Sequence, residues 1–492
     1  MARFTSEVSR SFSEFLIIPG RTTRASDIRN VSLRSRITDG IEIPLPFMSA
    51  AMQSVTGYEL AIALAQHGGL GVMPYNLPVE EQVENVRKVK RFRSGFVYNA
   101  MTVSPNDRIN KLLEIGKLHG YNTFPVIEEG RLVGLITEKR YHPDKDVHKE
   151  IKDRMIPADR LIVGRDGITL AEANEMMIGA GIGALPIVDE KMNLKSVVFY
   201  DDLKKQHFYP EAFIDKDKRL MVAGAVSTHP EDMERAERLV RAGADFLCIE
   251  SSDAHSDYTE EAIENYKRFR IPIIAGNIVD REAFDFLAKL GADCVKIGQG
   301  SGSICITRRV KSSGRGQATA VAEIAKARDR FFSKTGKYIP ICSDGGISTT
   351  GDMAIAFALG ADLIMMGKYF AGFTESPTPL TERRFRISSD DSSGEVSEVS
   401  AYVKPYWGEG SERAKSLKKY GHSDPRTFFV EGIEGFVLHR GSISKHLPTD
   451  IYAVKGAMAG AGCRNIHEFY QKAKLEIQTG GSQTEGETHV LR

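Results

Sequence analysis

Gly243-Ala244-Asp245-Phe246-Leu247-Cys248-Ile249, Gly291-Ala292-Asp293-Cys294-Val295-Lys296-Ile297 and Gly360-Ala361-Asp362-Leu363-Ile364-Met365-Met366 repeat one junction three times. In each, a glycine fits the left-handed position that closes a helix, and an apolar, β-rich run begins two or three residues later. Working outward, runs of the same kind stand at Pro46 to Ala50, Leu70 to Met73, Met221 to Ala225, Ile273 to Ala275 and Ile339 to Cys342, each followed by an amphipathic stretch of helical length. Alternation of strand and helix reads as βα units, and eight such units close a barrel. The expected fold is therefore α/β, a (β/α)8 TIM barrel.

At 492 residues the chain is too long for a barrel alone. The alternation breaks between the helix ending near Lys90 and the run at Met221, so something is inserted there. Inside it, Met101-Thr102, Phe124-Pro125-Val126-Ile127 and Gly134-Leu135-Ile136 are echoed by Met155-Ile156, Leu185-Pro186-Ile187-Val188 and Ser196-Val197-Val198. Two such β-α-β-β-α copies resemble a pair of cystathionine-β-synthase-type (CBS) modules, a Bateman domain. In nucleotide-binding modules of that type the last strand is followed by Thr or Ser and, three residues on, by Asp. Here Thr137 is followed by Arg140, and Asp202 is preceded by Phe199, which speaks against a purine nucleotide in the insert. The expected organisation is barrel over 1–93 and 207–478, insert over 94–206, an active-site flap over about 375–430, and a flexible tail over 479–492.

Composition narrows the function. Lys plus Arg 66 against Asp plus Glu 65 leaves a net charge of +1, which gives no field to gather nucleic acid. The cysteines 248, 294, 305, 342 and 463 form no C-x-x-C pair, so neither a zinc cage nor a disulfide framework is indicated. Without an apolar run long enough to span a bilayer or a signal-peptide core, the expectation is a soluble, cytoplasmic enzyme with no membrane partner.

Chemistry concentrates in three loops that follow strands six, seven and eight, at the barrel end where such folds place their active sites. The first is Gly298-Gln299-Gly300-Ser301-Gly302-Ser303-Ile304-Cys305-Ile306-Thr307-Arg308. Its glycines allow close approach of backbone to a ligand or ion, and Cys305, with Arg308 and Arg309 nearby to favour a thiolate, is a candidate nucleophile. The others are Ser343-Asp344-Gly345-Gly346 and Gly367-Lys368-Tyr369, where glycine amides commonly cradle phosphate. Asp344 suits a ribose diol, or else caps the following helix.

These residues, with Leu16-Ile17-Ile18-Pro19-Gly20, Met48-Ser49-Ala50-Ala51-Met52 and Tyr406-Trp407-Gly408-Glu409-Gly410-Ser411, resemble the IMP dehydrogenase family and its sister, GMP reductase. The resemblance implies that Cys305 attacks C2 of IMP, that hydride passes to NAD, and that Thr307 with a flap pair, here Lys419-Tyr420, activates water to release XMP. It places phosphate at Ser303, Gly346, Gly367, Lys368 and Tyr406, ribose on Asp344, and the base at Met52, Gly408 and Glu409. It assigns nicotinamide to Glu250, Asn277 and Arg308, and a potassium ion to carbonyls of Gly300, Gly302 and Cys305. A homotetramer is implied as well. Lys419 stands where the dehydrogenases carry arginine, Glu250 where they carry aspartate, and Glu412 where short-type reductases carry a catalytic glutamate. Three functions stay open: oxidation of IMP to XMP with NAD, NADPH-dependent reduction of GMP to IMP, and a catalytically silent nucleotide sensor.

Overall fold

The computed structural model describes residues 4–5, 8–92, 96–97, 100–119, 122–200, 209–388, 396–416 and 430–486. The chain divides into two compact units, Met1–Lys90 with Glu211–Arg492, and Arg91–Pro210.

The first unit contains a closed barrel of eight parallel strands. They are β1 (Phe47–Ser49), β2 (Leu70–Met73), β3 (Val222–Val226), β4 (Phe246–Glu250), β5 (Ile273–Ile278), β6 (Cys294–Ile297), β7 (Ile341–Asp344) and β8 (Leu363–Met366). Spatial order follows chain order. β8 returns to β1 with Met365 opposite Met48, and β2 meets β3 directly with Gly71 opposite Val222, across the interruption in the sequence.

The repeated junction has a physical cause beyond its glycine. Gly243, Gly291 and Gly360 take φ of 97°, 85° and 105°, the left-handed region that glycine occupies without a Cβ penalty. Each aspartate that follows then exchanges two bonds with the first residue of the preceding strand. The side chains of Asp245, Asp293 and Asp362 accept from the N–H groups of Val222, Ile273 and Ile341, each at 2.9 Å. Their own N–H groups donate to the carbonyls of those same residues, again at 2.9 Å. The junction thus ends a helix and fixes the lower rim of two neighbouring strands.

Alternate strand residues point inward, as the two-residue period requires. Met48, Val72, Ala223, Phe246, Cys248, Ile274, Cys294, Cys342 and Met365 belong to one buried cluster. One step further along, the inward positions of β4, β6 and β7 turn polar: Glu250, Lys296 and Asp344. An apolar interior is therefore roofed by charge at the carboxyl ends of the strands.

The expected flap region contains described strands. Thr381–Ser388 (β9), Val396–Trp407 (β10) and Glu434–Leu438 (β11) make a three-stranded antiparallel sheet, with Phe385 opposite Val399 and Pro405 opposite Phe436. The polar run at Ser388 to Ser400 hid the two-residue alternation of the strand beginning inside it. Gly480–Glu485 is helical with Thr479 as its cap, and Gln478 and Gln483 donate from Nε2 to the Ser13 carbonyl at 2.7 and 2.9 Å.

The second unit carries two small cores. One holds Phe124, Val126, Ile136 and Ile109 beneath the helix Ile109–His119; the other holds Leu185, Ile187, Val198 and Met177 beneath the helix Leu170–Ala180. Each has an antiparallel pair at its centre, Thr123–Glu128 with Arg131–Thr137 and Ala184–Val188 with Leu194–Phe199. Asp202 lies outside the described residues. Among those described, no helix is long and apolar enough to cross a membrane.

Candidate active site

The loop after β6 begins with a close approach of main chain to main chain. Gly298 has φ of 149°, and a Cβ there would run into the Asp344 carbonyl oxygen, so only glycine lets this loop cross the end of β7. Ser301 Oγ donates to the same carbonyl at 3.0 Å. The chain then turns back, with Cys305 N–H donating to the Gly302 carbonyl at 3.0 Å. A strand-like return from the flap clamps the turn: Ile306 N–H donates to Glu431 O at 2.8 Å, and Ile433 N–H donates to Ile304 O at 3.0 Å. Cys305 Sγ ends up 3.1 Å from Thr307 Oγ1.

Cys305 is partly exposed, whereas the other four cysteines are buried. Burial pushes the thiols of Cys248, Cys294 and Cys342 well up, which keeps them protonated and poor nucleophiles. Arg308 does not attend Cys305 in the way its sequence proximity suggested. Arg308 lies along Gly300 and Gly314, and its Nη2 donates to the Arg315 carbonyl.

A cavity of about 500 Å³ opens beside Cys305. Thr307, Met52, Gly408 and Glu409 line it together with Gly302 and Glu250. Ser303, Asp344, Gly346, Gly367, Lys368 and Tyr406 form its other walls. Gly346, with φ of 73°, and Gly367 bring main chain to the cavity. A Cβ on Gly367 would lie 2.9 Å from Tyr406 Oη and 3.2 Å from Met52 Sδ, so the Gly367 main chain closely approaches both side chains. Burial pushes the Tyr406 phenol up, opposed by a hydrogen bond with the Ser303 side chain. Glu409 Oε1 accepts from Gln53 N–H at 2.9 Å, and Ser54 Oγ donates to Trp407 O at 2.9 Å, which ties the flap strand to the loop after β1.

Beneath the cavity lies the charged roof of the barrel. Lys296 is fully buried. Its Nζ reaches Glu250 Oε1 at 2.6 Å, Asn277 Oδ1 at 2.7 Å and Asp344 Oδ2 at 3.4 Å. Burial alone would strip the proton, but the carboxylates of Glu250 and Asp344 outweigh it and raise the Lys296 pKa well above its ordinary value. Asn277 Nδ2 donates to Asp344 Oδ2 at 2.9 Å and to Gly298 O at 2.8 Å. Asp344 is therefore held through Oδ2, as a side chain oriented for a ligand.

Three expected site residues do not line the cavity: Asn277, spent on Lys296 and Asp344; Arg308, spent on the loop; and Gly300, packed against Arg308. Lys419 and Tyr420 lie outside the described residues. Glu412 is exposed in the first turn of the short helix Glu412–Ser416 and does not line the cavity. A cavity-lining carboxylate that the sequence reading missed is Glu431, beside Glu250, Asp344 and Glu409; its Oε1 sits 3.1 Å from Lys311 Nζ. Only the pairing of residues 431–433 with the Cys305 loop brings it there. Lys296 had a legible signal, a lysine in the inward register of an apolar strand that must find buried partners.

A partly exposed thiol beside glycine main chain and a held carboxylate suits nucleophilic addition to a ligand in this cavity, and similarities to known proteins bear on which. A sequence model of the IMP dehydrogenase / GMP reductase domain matches residues 9–489. The chain is 36% identical to inosine-5'-monophosphate dehydrogenase of Tritrichomonas foetus, over 99% of this chain and 97% of that one. It is 34% identical to the enzyme of the same name from Schizosaccharomyces pombe, over 97% and 91%. Among solved structures it is similar to a Trypanosoma brucei GMP reductase variant in complex with guanosine 5'-monophosphate, with a TM-score of 0.81 at 28% identity over 99% and 98% of the two chains.

Proposed function

The chain belongs to the IMP dehydrogenase / GMP reductase family, and on that premise we propose that it oxidises IMP to XMP with NAD through a covalent adduct on Cys305. One observation carries the reading: the partly exposed Cys305, 3.1 Å from Thr307 Oγ1, shares its cavity with Asp344, Gly346, Gly367 and Tyr406.

The 5'-phosphate sits among the main chain of Gly346 and Gly367 and the side chains of Ser303, Lys368 and Tyr406. Asp344, held through Oδ2, offers Oδ1 to the ribose diol, and Met52, Gly408 and Glu409 flank the purine. Anchoring both phosphate and ribose holds C2 of the purine at the sulfur, which turns an encounter into a positioned reaction. The Cys305 thiolate adds to C2, hydride leaves C2, and a thioimidate remains on the enzyme. Water then adds to C2 with Thr307 and the Lys419-Tyr420 pair as its activators. The C–S bond breaks, releasing XMP and restoring the thiol.

NAD, when bound, supplies the hydride acceptor. Glu250 and Ser252 line the cavity and suit its ribose, Glu250 being fixed through Oε1 by Lys296. Asn277 and Arg308 serve this site at one remove, through Asp344 and the Gly300 turn. For potassium, the neutral carbonyls of Gly300, Gly302 and Cys305 suit a weakly hydrated monovalent cation better than a divalent one. Gly302 offers only the lone pair left free by Cys305 N–H. A homotetramer, a cytoplasmic location and a regulatory Bateman role for the inserted unit belong to the same proposal.

A second reading, NADPH-dependent reduction of GMP to IMP, draws on Glu431, a further carboxylate lining the cavity, and on Lys419. Supplying IMP with NAD and GMP with NADPH in parallel, and following nicotinamide absorbance, separates the two. NADH formation with IMP is the expected result. NADPH loss with GMP and none of the former would give the protein to the second reading.

A further inference from the structure

Lys404, on β10, is 2% exposed. An ammonium has three N–H donors, and here all three go to neutral backbone carbonyls: Phe373 O at 2.7 Å, Thr374 O at 3.1 Å and Ser376 O at 2.8 Å. These carbonyls belong to the turn that follows the short helix Lys368–Ala371 (α1), and Phe373 N–H donates back to Phe370 O in that helix at 3.2 Å. The segment has anchors of its own as well. Ser376 Oγ donates to Ala371 O at 2.9 Å, and Thr374 N–H donates to Gly441 O at 2.9 Å.

Both ends of this arrangement reach the cavity. Gly367 and Lys368, at the start of α1, line it, and so does Tyr406, which lies two residues beyond Lys404 on the same face of β10. A methyl group on Gly367 would come within 2.9 Å of Tyr406 Oη, so strand and helix start approach closely here. A shift of β10 against α1 by a fraction of an ångström would therefore open or close the corner assigned to phosphate.

We propose that Lys404 is a positioning residue for phosphate recognition: one buried ammonium, bound by three carbonyls, locks the strand carrying Tyr406 to the helix carrying Gly367 and Lys368. The inference rests on the reading that this corner holds the nucleotide phosphate. The recognised chemistry is a phosphate monoester, and Lys404 acts without touching it.

The test uses the full chain with potassium saturating throughout. Trp407, the single tryptophan, lies on the same strand and reports its position by fluorescence. Lys404→Ala is expected to weaken IMP binding, and inhibition by inorganic phosphate, at least tenfold, to raise KM far more than it lowers kcat, and to shift Trp407 emission. Because the substitution leaves a hole walled by three carbonyls, n-propylammonium should restore binding and emission in Lys404→Ala. It should do nothing for Lys404→Met, whose side chain fills the hole. Unchanged IMP affinity with unmoved emission in both variants would overturn the proposal. So would a loss that alkylammonium leaves untouched while both variants melt like the parent. If the unaltered protein binds neither IMP nor inorganic phosphate, the parent reading fails first and takes this one with it.

Discussion

Cys305 is set apart from the other cysteines by where it sits. Cys248, Cys294 and Cys342 face the barrel interior, and Cys463 is also buried, so Cys305→Ala should abolish turnover while leaving IMP affinity within a few-fold. Mass spectrometry of the quenched reaction should find the adduct on no other cysteine. Lys296 makes a different prediction. Removing its ammonium by Lys296→Met leaves the partly exposed carboxylates of Glu250 and Asp344 facing one another without their shared cation, which should lower the midpoint of chemical denaturation. Glu431→Gln should alter catalysis because the carboxylate lines the cavity, whereas exposed Glu412→Gln should leave both nucleotide activities near the parent rate. Lys419 is argued from sequence alone: an ammonium is a poor activator of water, so Lys419→Arg should speed XMP release. At this scale the sequence shows which residues come together where they share one contiguous loop, as Cys305 and Thr307 do at 3.1 Å. It misled where the partner comes from far along the chain, as Glu431 does, or where a side chain turns to its own loop, as Arg308 does.

At the scale of elements, close approach of main chain decides the site. Gly367→Ala puts a methyl group 2.9 Å from Tyr406 Oη, which should raise KM for the nucleotide about tenfold, roughly 1.4 kcal/mol, with kcat less affected. The strands themselves were legible because buried parallel strands read as short apolar runs. Leu70–Met73, Cys294–Ile297 and Leu363–Met366 have the bounds their sequence suggests. Ile273–Ile278 and Ile341–Asp344 run further, into Asn277 and Asp344, because these polar residues are satisfied by the Lys296 network and can continue a strand that apolarity no longer marks. The flap sheet was missed for a related reason. Its strand β10 begins in a polar stretch, and antiparallel pairing with β9 and β11 supplies what local apolarity does not.

For the molecule as a whole, the interruption between β2 and β3 is closed within the barrel unit itself. Lys90, where the first segment of that unit ends, is 4% exposed and binds Asp215, just after the chain returns, at 2.9 Å, and Asp245 at 2.9 Å. Excising 91–210 behind a short linker should therefore leave a folded protein with kcat near the parent value. A well-folded deletion variant without activity would show that the inserted unit is needed for chemistry. Whether the barrel is a dehydrogenase is tested most directly by one rapid-quench experiment: the full chain with IMP and NAD in saturating potassium, following NADH, XMP and the mass of the peptide bearing Cys305. The account predicts NADH and XMP in equal amounts, with a transient adduct on Cys305 that appears with NADH and decays with XMP. NADH and XMP formed with no adduct on Cys305, or no NADH at all beside GMP-dependent loss of NADPH, would contradict it.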